Sequence, residues 1–311
     1  MNKSINDRLD KALEKWHAKL NCGLTLVENI YHFTDFEGLK GILTSQKLRF
    51  TDYRYLNDPT ELEFCKDIIL DEMFKHNLSP DQHRAITFLF DKLSSIYNVY
   101  ISCFSTEKNK LSLWRYYANN GTGFAIGFRK NFFWPDENLS ASDNPHELTV
   151  CKINYCKKRT KKIVKGFFDE FCKICPTEGE KEKCFIRLLT HLIRILPAIK
   201  DESFCDEQEI RLYCTDGSLL HGKDGRPIYF DEKDRAFIPI KKKKLPFVNI
   251  IRGNKPVVTP EKFQKEDIVE ILVGPSCNFI EAKTCIRSIL QNNDYTNDVP
   301  INFAKLPFQL A

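Results

Sequence analysis

An apolar strand that ends in His-x-Thr and runs directly into a helix constrains the fold of this chain more than any other feature. The strand covers residues 30–34, and an apolar helical pattern follows it over residues 36–43. Because side chains alternate along a strand, His32 and Thr34 project from the same face at its carboxyl end. Two hydrogen-bonding groups placed together there predict a ligand-facing strand end, with a locally satisfied strand end as the alternative.

Length and composition bound the class of protein. The chain has 311 residues, of which 42% are hydrophobic and 29% charged, and a net charge of +5. These values are typical of a globular chain that can bury a full core. No apolar run is long enough to cross a bilayer, and residues 1–23 read as an amphipathic helix rather than a signal segment. We therefore expect the twelve cysteines to be reduced thiols in a cytoplasmic protein.

Two local patterns raise the question of a metal or a nucleic acid. Cys172 and Cys175 have the spacing of a zinc-binding pair, but they also continue the apolar stripe of one helix. Because no second pair completes four ligands, we predict no metal site. Basic runs at 157–162 and 241–244 could contact nucleic acid or an acidic partner, although solvated charge runs are commoner.

Hydrophobic periodicity predicts an α+β fold with a mainly antiparallel sheet. We expect an N-terminal helix within 1–23 and a single domain over 24–311, with helical insertions at about 60–96 and 160–196. Asp58 followed by Pro59 predicts a capped helix that starts near Thr60, with a contribution of residues 57–59 to a ligand site as the alternative. Strands are predicted at 24–34, 47–50, 99–105, 124–128, 148–155, 207–214, 236–240, 246–251, 268–273 and 301–305.

A second polar strand end precedes an aromatic helix. A strand that closes with Ser105 runs through a polar turn into a helix with Trp114, Tyr117 and Ala118 on one face. Aromatic residues at that spacing are more often part of a core than of a ligand platform. Beside two polar strand ends, however, such a helix would form a pocket with apolar walls and few polar groups, the usual form of a cofactor site.

Two glutamates and an arginine lie together on a late strand. If residues 207–214 form that strand, Glu207, Glu209 and Arg211 share one face. Adjacent carboxylates raise one another's pKa, so one of the pair is expected to titrate unusually high unless a cation compensates. The alternative is an exposed edge strand in which Arg211 neutralises Glu209.

In this order the three motifs resemble the signature of the ADP-ribosyltransferase superfamily. More closely, residues 31–34, 38–43, 56–59, 113–118 and 207–211 resemble an uncharacterised bacterial domain family that is regarded as ADP-ribosyltransferase-like. The resemblance runs from about Ile30 to Pro307. It implies a split antiparallel β-sheet, NAD as co-substrate and no metal. It also implies transfer of ADP-ribose to a target protein, with an arginine side chain as the first candidate acceptor.

The resemblance implies roles for the first and middle strands. His32 would hold the adenosine-side ribose of NAD, and the backbone of Phe33 would bind the nicotinamide amide. Thr34 would support that grip. Ser105 would support the catalytic glutamate or the nicotinamide ribose.

It also implies roles for the aromatic helix and the carboxylates. Tyr117 or Trp114 would stack on nicotinamide. Glu209 would stabilise the oxocarbenium ion that forms as nicotinamide leaves, which is electrostatic catalysis. Glu207 would orient and deprotonate the acceptor.

The chain departs from the superfamily pattern because it combines His32 with Ser105 and Glu-x-Glu. Members with two such glutamates usually carry arginine on the first strand, so the acceptor stays open. Nucleic acid, bound through the lysine runs, is one alternative. A catalytically inactive domain that binds a nucleotide or a partner is another. A bacterial toxin or effector, exported without a signal peptide, remains an alternative to a protein that acts in its own cytoplasm.

Overall fold

The computed structural model describes residues 4–20, 27–58, 62–129, 149–221, 227–228, 235–239, 254–258, 263–295 and 299–306. Over these ranges the chain has an α+β fold. The α-helices are α1 (Ile5–Leu20), α2 (Phe36–Ser45), α3 (Phe64–Met73), α4 (Pro80–Ile96), α5 (Leu111–Tyr117), α6 (Lys157–Ile174), α7 (Glu178–Arg194) and α8 (Phe279–Asn292). The strands are β1 (Asn29–Thr34), β2 (Phe50–Asp52), β3 (Asn98–Ser105), β4 (Phe124–Arg129), β5 (Thr149–Lys152), β6 (Glu209–His221), β7 (Pro227–Ile228), β8 (Arg235–Pro239), β9 (Asn254–Val258), β10 (Ile268–Val273) and β11 (Ile301–Phe303).

Capping residues that are visible in the sequence set the starts of two helices. At α4, Ser79 and Gln82 form a capping box, in which each side chain accepts the backbone N–H of the other (3.2 and 2.9 Å). At α2, Asp35 Oδ1 accepts the N–H of Gly38 at 2.8 Å. These side chains satisfy backbone donors that have no partner within the helix.

The helix start predicted near Thr60 is wrong. Leu62 has a φ of 66°, which is incompatible with a right-handed helix, and α3 begins at Phe64. Residues 59–61 lie outside the described part of the chain. Asp58 therefore does not cap α3. Its side chain is buried and lines a cavity that is described below.

The described strands form a mainly antiparallel sheet in the order β11-β10-β4-β1-β3-β2-β9-β8. Strand β6 pairs with β3 along eight residue pairs, and β5 pairs with the other side of β6. Only β10 and β11 are parallel among these pairs. Strand β1 pairs with β4 along its whole length but with β3 through one residue pair, Tyr31 with Ser105. The sheet therefore divides into two halves that meet at that pair.

Separate hydrophobic clusters cover the two faces of the sheet. One cluster joins α1, α3, α4, α6 and α7 to one face of β3 and β6. Within it Trp16 of α1 lies directly over Gly166 of α6, where an added Cβ would come within 2.3 Å of the indole ring. A second cluster joins α2 and α8 to the opposite face. A third, smaller cluster packs α5 against β1, beside the point at which β1 and β3 diverge.

None of the helices within the described ranges is long and apolar enough to cross a membrane. The strand predicted at 246–251 and the basic run at 241–244 lie outside those ranges. The basic run at 157–162 forms the first turns of α6.

Candidate functional site

A cavity of about 120 Å³ lies where β1 and β3 diverge. Its walls come from the ends of β1, β3 and β6, from α5, and from the loops over residues 56–58 and 200–207. Most of the residues singled out in the sequence lie on these walls, and they are His32, Phe33, Ser105, Tyr117, Glu207 and Glu209. Thr34 and Trp114 are not among the lining residues.

His32 spans the gap between the two halves of the sheet. Its Nδ1 lies 2.9 Å from the carbonyl oxygen of Cys103. Because a carbonyl only accepts, Nδ1 carries the proton and Nε2 is the acceptor of the neutral ring. Burial lowers the pKa of His32, so the ring is neutral at physiological pH.

Trp114 and Thr34 belong to the surrounding structure and not to the cavity. Trp114 is fully buried, its Nε1 donates to the Lys108 carbonyl at 2.9 Å, and its ring packs edge-on against Phe33. It offers no ring face to a ligand, which leaves Tyr117 as the aromatic candidate. Thr34 Oγ1 lies against the start of α2, only 2.0 Å from where a Cβ on Gly38 would sit.

Ser105 positions the backbone of Glu207. Its hydroxyl donates to the Glu207 carbonyl at 2.5 Å and accepts the Glu107 N–H at 3.0 Å. The Thr106 N–H donates to the Gln208 carbonyl at 3.2 Å. The end of β3 thus holds the turn that carries both glutamates.

The prediction that Glu207 and Glu209 share a strand face is wrong in its geometry. Glu207 ends a 3₁₀-helix that starts at Glu202, and β6 begins only at Glu209. Gln208 between them is left-handed, with a φ of 43°. The two carboxylates nevertheless converge, because both bind one ammonium group.

That ammonium belongs to Lys200, a residue that the sequence patterns did not indicate. Its Nζ donates to Glu207 Oε2 at 2.7 Å and to Glu209 Oε2 at 3.1 Å, and it lies 4.5 Å from the centre of the Phe204 ring. On its other oxygen, Glu207 accepts the hydroxyl proton of Tyr117. The cation and the phenol together fix the orientation of the Glu207 carboxylate.

Arg211 completes the network around Glu209. Its Nε and Nη2 donate to the two Glu209 oxygens at 2.8 and 3.1 Å, and its Nη1 donates to the Pro197 carbonyl at 3.0 Å. Arg211 is fully buried, and its strand lies between β3 and β5. The alternative of an exposed edge strand is therefore wrong, although the expected pairing of Arg211 with Glu209 is present.

Two cations determine the titration of Glu209. Burial acts to raise the pKa of this carboxyl, but Arg211 and Lys200 outweigh burial and lower the pKa to about 2. The pKa rise expected for one carboxyl of the pair does not occur at Glu209, because Arg211 and Lys200 compensate its charge. Burial and the Glu207 charge raise the pKa of Tyr117, so its phenol stays protonated and remains a donor.

An acidic cleft adjoins the cavity. It has a volume of about 480 Å³ and shares Asp58 and Phe204 with the first cavity. Five carboxylates and one lysine line it, and they are Asp58, Glu63, Asp67, Asp71, Asp201 and Lys157. Asp58 thus lies at the boundary between the two spaces.

The described residues include no cluster of three or more His, Cys, Asp or Glu side chains arranged to bind a metal ion. Cysteines within the described ranges are free thiols, and Cys175, at the end of α6, is buried.

Comparison with protein-family models matched residues 113–212 to DUF2971, a family described as a protein of unknown function. The matched segment contains Tyr117, Lys200, Glu207 and Glu209, whereas His32 lies outside it. No curated protein and no solved structure matched the chain.

Proposed function

We propose that the protein is an NAD-dependent mono-ADP-ribosyltransferase that modifies a protein side chain and releases nicotinamide. The convergence of three motifs on one cavity carries the proposal. His32, Ser105 and Glu209 are far apart in the chain, yet they line a space of about 120 Å³ together with Tyr117 and Glu207. If these residues served only to stabilise the fold, they would not need to line the same cavity.

The strand arrangement supports the same proposal. The three strands that carry the motifs are neighbours in the order β1-β3-β6. Ser105 faces Tyr31 on one side and Glu209 on the other, so all three motifs lie at one level of the sheet. A split sheet with its site at the junction is what the resemblance to ADP-ribosyltransferases implies.

The size of the cavity bears on how NAD would bind. Pockets that enclose a whole drug-sized ligand usually measure roughly 300–1,000 Å³. The cavity is smaller, so it suits the nicotinamide–ribose end of the dinucleotide, with the remainder outside. Phe33 and Tyr117 supply aromatic walls. His32 Nε2 supplies an acceptor for a hydroxyl of the nicotinamide-side ribose, in place of the adenosine-side ribose that the resemblance implies.

The charges suit cleavage of the bond between nicotinamide and ribose. When that bond breaks, its electron pair leaves with nicotinamide and the ribose carbon becomes cationic. Glu209 is an anion at neutral pH, and its negative charge would stabilise the positive charge that develops on the ribose. Glu207 would accept the proton that the acceptor loses as its new bond to ribose forms. Each carboxylate oxygen can accept more than one hydrogen bond, so a substrate hydroxyl need not displace Lys200 or Arg211.

The acidic cleft supports a cationic acceptor. Its five carboxylates adjoin the cavity through Asp58. A cleft of this charge attracts a basic protein surface and repels the phosphates of a nucleic acid. We therefore propose a target protein with arginine as the acceptor ahead of a nucleic acid.

The test is release of nicotinamide from NAD by the purified full chain, measured beside transfer of labelled ADP-ribose to proteins of a cell lysate. Glu209→Gln should abolish both reactions. Glu72→Gln is the matched control, because Glu72 is a buried carboxylate on α3 that pairs with Lys75 and does not line the cavity. Thermal stabilisation by NAD without nicotinamide release would instead support an inactive nucleotide-binding domain, and absence of both effects would refute the proposal.

A further inference from the structure

Lys200 is a buried cation whose partners are the two glutamates of the candidate site. Its side chain is 5% exposed. A lysine is rarely buried to this degree unless its charge is paired, and here two carboxylates and the face of Phe204 surround it. The position of the ammonium and the positions of the carboxylates therefore depend on one another.

The backbone of Lys200 is anchored to neighbouring structure. Its N–H donates to the Asn154 carbonyl at 3.3 Å, and the Asn154 N–H donates to the Ala198 carbonyl at 2.8 Å. The Asn154 side chain donates to Thr160 Oγ1 at 2.8 Å. The lysine thus extends from a segment that is fixed to the connection between β5 and α6.

We propose that Lys200 is a positioning residue of the candidate site, which clamps one oxygen of Glu207 and one oxygen of Glu209 to the same point. The clamp sets the distance between the carboxylate that opposes the ribose cation and the carboxylate that receives the acceptor proton. It also holds the other Glu207 oxygen at the Tyr117 hydroxyl. The catalytic part of this inference rests on the proposed function, whereas the clamp itself does not.

Within the described part of the chain, removing the ammonium would leave Arg211 as the cation bound to Glu209, and Glu207 would lose its ion pair. The other titratable groups around the pair add no positive charge, and they are His32 from β1, Cys103 from β3, Tyr117 from α5, Tyr155 after β5 and Asp58 from the loop. Because Lys200 and Arg211 together lower the pKa of Glu209, loss of Lys200 should raise that pKa.

The test compares Lys200→Met with Lys181→Met in the full chain. Lys181 is the matched control, since it is 3% exposed on α7, pairs with Glu178 and donates to the Asn77 carbonyl, away from the cavity. The titration of Glu209 is followed by carboxyl NMR, which requires no catalysis. We expect its midpoint to rise by about one pH unit or more in Lys200→Met and to stay unchanged in Lys181→Met.

The second measurement is the pH dependence of nicotinamide release. In Lys200→Met the acid limb should move to higher pH, and kcat should fall about tenfold while KM for NAD changes little. Lys200→Arg keeps the charge, so this variant should have the Glu209 midpoint and the acid limb of the wild type.

An unchanged Glu209 midpoint in Lys200→Met would overturn the clamp. Equal losses of activity in Lys200→Met and Lys181→Met, with the wild-type pH profile, would also overturn it, because a purely structural role predicts that result. If Lys200→Met does not fold, a raised Glu209 midpoint in Lys200→Arg would contradict the inference. A wild-type protein that releases no nicotinamide refutes the proposed function alone, since the NMR titration still tests the clamp.

Discussion

Replacing Glu209 by glutamine should destabilise the protein by about 3 kcal/mol at neutral pH. The Glu209 side chain is 4% exposed and binds both Lys200 and Arg211. These cations outweigh the opposing effect of burial and lower the carboxyl pKa from its ordinary value of 4.5 to about 2. At about 1.4 kcal/mol per pKa unit, the shift corresponds to about 3 kcal/mol of folding free energy. This agrees with the roughly 3–5 kcal/mol lost when one partner leaves a buried ion pair.

The size of the effect should depend on pH in a defined direction. Because the pKa of Glu209 is depressed in the folded protein, the unfolded chain binds more protons at this group as the solution is acidified. The stabilisation is therefore complete above pH 4.5 and is lost as the pH falls towards about 2. Glutamine cannot ionise, so the difference between wild type and variant should shrink towards zero over the same range.

Urea unfolding at several pH values between 7 and the acid limit of the folded protein, at constant ionic strength, measures this difference. Glu14→Gln is the control, because Glu14 pairs with Arg194 at a more exposed position, where ion pairs contribute roughly 0–1 kcal/mol. Glu209→Gln as stable as wild type at pH 7 would refute the reasoning. A deficit of the same size at every pH would refute it as well, since it would not arise from the charge.

Four further substitutions separate the site from its surroundings. Tyr117→Phe removes the hydroxyl bond to Glu207 and should lower nicotinamide release while costing about 1.5–3 kcal/mol in urea unfolding; unchanged release would exclude that bond from the reaction. Trp114→Ala should cost about 3–5 kcal/mol, because it empties a core position, and a stable variant would contradict that placement. His32→Ala should weaken NAD binding in calorimetry, and a folded variant with normal affinity would reject the ribose role. Ser105→Ala should lose about 1–3 kcal/mol and lower kcat, because the turn that carries Glu207 loses its anchor; a normal kcat would show that the turn does not need it.

Local patterns in the sequence were enough to predict most elements of the fold. The end of the first strand at Thr34, the helix that starts at Phe36 and the strand over 268–273 were predicted to within a few residues. Periodicity and caps involve residues that are close together in the chain, and they act locally in the structure as well. The failed helix start near Thr60 shows the limit of such signals, since a cap pattern does not reveal a left-handed residue at Leu62.

The candidate site was predicted in part. Strand alternation and motif order indicated His32, Ser105 and the two glutamates, which all line the cavity. Lys200 was missed because its relation to the glutamates depends on a 3₁₀-helix and a left-handed residue between them. Those features change the direction of the chain so that the lysine reaches both carboxylates. No repeating pattern in the sequence predicts this change of direction.

The junction between the two halves of the sheet rests on few contacts. Strands β1 and β3 share the pair of Tyr31 and Ser105, and His32 adds a side-chain bond to the Cys103 carbonyl. Backbone amides at this seam should therefore exchange through local opening at a lower free energy than global unfolding. A small rotation of one half against the other would leave the longer ladders within either half intact. We therefore expect this junction to open for a ligand at a lower free energy than the ladders within either half.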